Sequence, residues 1–140
     1  MSSAELENLA KIGKLKREPP SAKELEGLRK LGEERLTDAA LEELSFAGRF
    51  DSAYNAAHAF ALYALRRQGY RSESRYLAFQ ALVHTVGLPA ETVRVLAKAH
   101  ERRNAAVYEG VVERDERLLS ELIAAAKRLR DAVEALPPRN

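Results

Sequence analysis

Apolar positions recur at three- and four-residue steps along most of the chain, the period of a helix buried on one side. Leu6, Leu9 and Ile12 give a weak stripe that dissolves into Lys11, Lys14, Lys16 and Arg17, and Pro19 and Pro20 then remove two backbone donors. This predicts a short, loosely held first segment. Ser21 followed by Glu24 is a capping-box pattern and predicts a helix over 22–35, with a narrow stripe of Leu25, Leu28 and Leu31 that Gly27 and Gly32 weaken. A further short helix is expected over 36–44, with a joint at Ala47-Gly48.

The central segment, 50–68, is different. Phe50, Ala53, Tyr54, Ala57, Ala61, Ala64 and Leu65 form one stripe, and Ala56, Phe60 and Tyr63 form a second, so the helix is apolar nearly all round and belongs in the middle of a bundle. Its alanines allow close approach of neighbours. Arg66 and Arg67 suit the negative end of its dipole, and Gly69 can end it. Ser72 or Ser74 caps a helix through Tyr76, Leu77, Phe79, Leu82, Val83 and Val86, closed by Gly87. Pro89 opens the next one as a first-turn residue. The last long helix starts near Asp115 and carries Leu118, Leu122, Ala126, Leu129, Val133 and Leu136 at alternating steps, the seam of an antiparallel bundle.

Composition narrows this to one soluble domain: 140 residues, 46% hydrophobic and 31% charged, with 6% aromatic residues and no tryptophan. The predicted fold class is an all-α, antiparallel helical bundle of four to six helices. It divides into an N-terminal helical extension, 1–45, and the bundle, 46–140, within one compact unit. Without cysteine there is no disulfide, thiolate nucleophile or cysteine-ligated metal. The first ten residues carry Glu5 and Glu7 and lack a signal-peptide pattern, and no run approaches the roughly 18 apolar residues of a membrane span, so a cytoplasmic protein with no membrane partner is expected. A net charge of only +2 means that any affinity for nucleic acid must come from local clusters.

One helix breaks its own pattern. Over 89–108, Val93, Leu96, Ala97 and Val107 line one face, but His100 and Asn104 fall in the middle of it, with Arg103 and Tyr108 at its edges. An unpartnered buried amide costs about 1–3 kcal/mol, and an unpaired guanidinium more, so this face must meet something polar. Two readings stand. In one, Arg103 is satisfied by a carboxylate such as Asp51 or Glu101 and the amide and imidazole by a neighbouring helix. In the other, the face lines a cleft for phosphate, whose oxygens suit the planar fork of arginine.

The stretch Ala99-His100-Glu101-Arg102-Arg103-Asn104-Ala105-Ala106-Val107-Tyr108, following Phe50-Asp51-Ser52-Ala53-Tyr54-Asn55-Ala56-Ala57-His58-Ala59, resembles the HEPN domain (higher eukaryotes and prokaryotes nucleotide-binding) over about 46–136. That resemblance implies a four- or five-helix bundle with an Arg-polar step followed by histidine near the end of a late helix, paired as a homodimer that shares one cleft. It also implies either metal-independent endoribonuclease activity in a toxin–antitoxin or defence setting, or RNA or nucleotide binding alone. Arg103 matches the motif arginine and Asn104 its polar neighbour, while Tyr108 occupies the histidine position. Cleavage through the ribose 2′-hydroxyl needs an acid and a base that titrate near neutrality, and a phenol, with an ordinary pKa of about 10, serves poorly. His100, one turn before Arg103, could take that role. Phosphate binding by Arg103 needs only charge and geometry. The alternative is a catalytically inactive interaction module, for example one that docks a minimal nucleotidyltransferase.

Asp51, Asn55 and His58 share a stripe beside the apolar face of the central helix and are candidates to support Arg103 or hold a ribose. Arg66, Arg67, Arg71 and Arg75, near Tyr70 and Tyr76, with Arg102 further on, form the basic and aromatic mixture that single-stranded nucleic acid uses, or simply a solvated bundle end. His84 reads as a packed histidine. Three histidines on three helices, with no His-x-x-x-His or Glu-x-x-His pattern, predict no metal site, and no cofactor is expected.

Overall fold

A computed structural model of the chain describes residues 4–110 and 112–138. It is an all-α bundle whose main helices are α2 (Ala22–Ala39), α3 (Phe46–Arg67), α6 (Ala90–Glu109) and α7 (Glu116–Glu134). Shorter pieces complete it: α1 (Ala4–Lys11), α4 (Arg75–Gln80), the single turn α5 (Leu82–Thr85), and two-residue strands β1 (Lys16–Arg17) and β2 (Tyr70–Arg71).

Helix α3 runs through the middle and touches α2, α4, α5, α6, α7 and β2. Its sequence explains this position: Ala53, Ala56, Ala57, Ala61 and Ala64 are buried on several sides, with Phe50, Tyr54 and Phe60 between them. Small side chains let α2 and α7 pack closely, and the aromatic rings fill what remains. Ser45 Oγ accepts the Gly48 N–H at 3.0 Å, so α3 begins at Phe46 and the expected joint at Ala47-Gly48 lies inside its first turn.

Helix α2 departs from its predicted form in two ways. It continues to Ala39 because Leu36 and Ala39 extend the stripe begun by Leu25 and Gly32; a separate helix over 36–44 does not form, and Leu41 and Leu44 are 40% exposed. Leu31, expected in the stripe, is also exposed. Gly32, expected only to weaken the helix, faces the Phe60 ring so closely that an added Cβ would lie 2.6 Å from it. Its missing side chain is what lets α2 sit on α3.

Ser74 caps α4, accepting the Leu77 N–H at 3.1 Å, but the single helix expected to reach Val86 breaks at Ala81 into α4 and α5. Pro89 precedes the first residue of α6 rather than occupying it. Asp115 caps α7 through a 2.9 Å bond from Leu118 N–H, and Leu118, Leu122, Ala126, Leu129 and Val133 form its buried seam as expected, with Leu136 past the helix end.

The N-terminal segment is not loosely held. Leu6 and Leu15 are buried with Leu65, Tyr70 and Ala81 in a satellite cluster, and β1 pairs antiparallel with β2, Lys16 opposite Arg71 and Arg17 opposite Tyr70. Burial of a leucine is worth about 1.5–3 kcal/mol, enough for two of them to hold a short helix and strand. Leu36 and Ala39 of α2 belong to the same core as α3, α6 and α7, so residues before 46 complete the bundle rather than extend it.

A polar cluster on one face of the bundle

Helices α3, α4 and α6 bring one set of polar side chains together around Tyr54. The Tyr54 hydroxyl lies 2.9 Å from His100 Nδ1, and His100 Nε2 lies 3.1 Å from Asn104 Nδ2. The tautomer that satisfies both contacts carries its proton on Nδ1, donated to the Tyr54 oxygen, and accepts the Asn104 N–H at Nε2. One nitrogen is thus anchored in the core and the other faces the exposed Asn104.

Two guanidinium groups lie on the Tyr54 ring, Arg103 at 4.9 Å from its centroid and Arg75 at 5.6 Å. The negative face of the phenol ring supports both cations. A chain of contacts ties them at the rim: Arg75 Nη1 donates to Asn55 Oδ1 at 3.3 Å, Asn55 Nδ2 to Asp51 Oδ2 at 3.0 Å, and Asp51 Oδ1 lies 3.5 Å from Arg103 Nε. Helical spacing explains the arrangement, since Asp51, Tyr54, Asn55 and His58 fall on one stripe of α3 and His100, Arg103 and Asn104 on one stripe of α6. The first turn of α4 adds Arg75.

Electrostatically the cluster favours an anion. His100 titrates below its ordinary value, first because burial disfavours the charged ring and then because Arg103 and Arg75 repel it, with Glu101 opposing. Beneath it, His58 packs edge-on against Phe79 at 6.0 Å between centroids. Burial, then Arg75, Arg103 and His100, push its pKa down to about 4. Both imidazoles are therefore neutral near pH 7. Asp51 is the carboxylate in this chain of contacts, its side chain 58% exposed and 3.5 Å from Arg103 Nε, a loose and solvent-screened pair.

The other residues singled out in the sequence lie elsewhere. Arg66 is 2% exposed: its guanidinium binds Glu24 at 3.0–3.3 Å and the carbonyls of Glu18, Pro19 and Tyr70 at 2.8–3.2 Å. Arg71 binds Glu18 and Glu24, and the buried Tyr70 donates its hydroxyl to Glu7. The expected basic and aromatic patch is thus divided: carboxylates of the N-terminal segment and α2 tie down the buried Arg66 and Tyr70 and the partly exposed Arg71, while Arg75 turns to the Tyr54 cluster and Tyr76 stays exposed. Arg67 donates to the carbonyl of Pro137, and Arg102 faces Glu113 and Asp115 at 3.5 and 3.6 Å, joining α6 to the start of α7. Val107 and Tyr108 are not on a buried face: they are 70% and 90% exposed, because the last turn of α6 runs past the bundle. Tyr108, at the position the resemblance gives to histidine, is outside the contacts that join His100 to Tyr54 and Arg103.

In the sequence Tyr54 belongs to an apolar stripe, which conceals its part in the cluster. The signal was present in the polar residues three before it and one and four after it, which make it the centre of a polar stripe. His84 is half-buried in α5. Among the described residues no three His, Asp or Glu side chains converge as a metal site would require, and no helix is long and apolar enough to cross a membrane. No known family model, curated protein or solved structure matches the chain.

Proposed function

We propose that the Arg75–Arg103–His100 cluster binds the phosphodiester backbone of RNA and cleaves it without a metal ion, one of the two activities that the HEPN resemblance implies. The observation that carries this reading is the placement of two guanidinium groups on one tyrosine ring beside a neutral imidazole. Paired forks suit the non-bridging oxygens of a phosphodiester and offset the charge that grows on them. A histidine held neutral near pH 7 is a competent base. Entry of RNA displaces Asn104 from His100 Nε2, and Nε2 takes the 2′-hydroxyl proton. The 2′-oxygen bonds to phosphorus, the bond to the 5′-oxygen breaks, and that oxygen leaves as a hydroxyl protonated from water. The products are a 2′,3′-cyclic phosphate and a 5′-hydroxyl end. In this assignment His100, not Tyr108, supplies the base.

Incubation with RNA in excess chelator tests it. Wild type should yield cyclic phosphate ends, and substrate with 2′-deoxyribose at the cut should resist. Arg103→Ala and His100→Ala should each abolish the cut with an unchanged helical circular dichroism spectrum. Intact RNA after incubation with wild type would remove the enzymatic part of the proposal.

A second reading draws on the exposed Val107 and Tyr108 at the end of α6. An apolar tip one turn beyond Arg103 suits a partner, and a two-fold pairing would bring two copies of α6, and so two clusters, to one cleft. Sedimentation of wild type and of a Val107→Asp, Tyr108→Asp variant checks it: a dimer that the variant splits supports the pairing.

A further inference from the structure

We infer that Tyr76 is the seat for an unpaired nucleobase, so that the site takes single-stranded RNA and not duplex; this rests on the phosphodiester reading above. The first turn of α4 sends out two consecutive side chains with different tasks. Arg75 reaches over Tyr54, while the Tyr76 ring stands beside His100 with centroids 5.9 Å apart and planes at 47°. His100 itself stacks on Tyr54 at 6.1 Å and meets Phe79 edge-on at 6.4 Å. The four rings make a shelf that starts in the core with Tyr54 and Phe79, passes through His100 and ends in solvent at Tyr76, which is 46% exposed.

Packing does not account for that last ring. The buried contacts of α4 are made by Ala78 and Phe79, whereas Tyr76 meets His100, the ring that stacks on Tyr54, over which both guanidinium groups lie. A solvent-facing aromatic face beside cations is the combination that grips single-stranded nucleic acid, with the backbone phosphate on arginine and the adjacent base on the ring. A base inside a duplex is already covered by its neighbours and cannot use such a shelf. Because every base has a π face, a stacking seat of this kind tolerates base identity.

Fluorescence anisotropy separates the parts, using labelled probes with 2′-O-methyl riboses that cannot be cut: a short oligoadenylate, the same strand with abasic riboses, and the oligoadenylate paired with oligouridylate. Wild type should bind the single strand roughly five- to hundredfold more tightly than the abasic strand, the range that one stacked base supplies. Tyr76→Ala should lose that margin while binding the abasic strand as wild type does, and Tyr76→Phe should keep it. Since the chain has no tryptophan, Tyr76→Trp introduces a single tryptophan, excited selectively at the red edge of tyrosine absorption, whose emission the single strand should quench and the abasic strand should not. An unchanged margin in Tyr76→Ala, or a duplex bound as tightly as the single strand, would overturn the assignment. If wild type binds abasic and base-bearing strands equally, Tyr76 loses its role and the phosphate site stands. If it binds neither, both fall.

Discussion

Replacing Arg66 by methionine isolates the role of the most deeply buried charge in the bundle. Methionine keeps most of the volume and the apolar stem, so the change removes the guanidinium and little packing. What is lost is a fork that holds both carboxylate oxygens of Glu24, meets the Glu18 carboxylate and reaches three carbonyls of the N-terminal segment and β2. Breaking a buried ion pair costs about 3–5 kcal/mol because the remaining partner is stranded. Here Glu24 keeps Arg71 at 2.8 Å and its side chain is 28% exposed, so the lower end applies, about 3 kcal/mol. For a chain of this length that corresponds to roughly 10 °C in Tm, measured by circular dichroism on heating and checked by urea titration. Arg66→Lys should recover less than half, since one ammonium cannot replace a fork that serves six acceptor atoms.

The pH dependence of that gap has a fixed sign. Arg66 first, then Arg71, hold the Glu24 carboxyl below its ordinary 4.5 in the folded chain. A depressed acid stabilises the fold fully above its unfolded pKa and loses that contribution as pH falls through the folded value. The difference between wild type and Arg66→Met should therefore be widest above about pH 5 and shrink in stronger acid. A loss below about 1 kcal/mol at neutral pH would refute the reasoning and show that water reaches the site and compensates the stranded groups.

Two other predictions concern packing and ionisation. Gly32→Ala places a methyl 2.6 Å from the buried Phe60 ring and should cost about 1–3 kcal/mol by overpacking, whereas Gly27→Ala, with nothing within 4 Å in the same helix, should gain about 0.5–1 kcal/mol; equal effects in denaturant melts would contradict the account of α2. His58, at a pKa of about 4, should show no imidazole titration by NMR between pH 5 and 8. Because its folded pKa lies below the ordinary 6.5, the fold loses stability as pH falls from there towards about 4, and His58→Gln should flatten that slope.

The helices were readable where a cap and a stripe agree. Ser21, Ser74 and Asp115 begin helices as their side chains suggest, and the apolar perimeter of α3 marks it as central. The polar cluster was half readable: the stripes Asp51–Asn55–His58 and His100–Arg103–Asn104 and the pairing of Asp51 with Arg103 could be seen, but not that Tyr54 lies at their centre. Long-range pairing hid the rest. Arg66 in a run of arginines looks solvated until Glu18 and Glu24, more than 40 residues earlier, fold over it. Gly32 looks like a weak point until Phe60 is placed opposite. Nothing local in Val107 or Tyr108 says that α6 outruns the bundle.

The central claim is that Arg75 and Arg103 form one phosphate-binding pair. Its most direct test is the affinity of uncleavable 2′-O-methyl single-stranded RNA for wild type and for the Arg75→Ala, Arg103→Ala double variant, followed by anisotropy across a salt series. Wild type should bind at low salt and weaken linearly on a log–log plot, and the double variant should bind at least tenfold less tightly with a shallower slope. A folded double variant that binds as wild type does, with the same slope, would contradict the account.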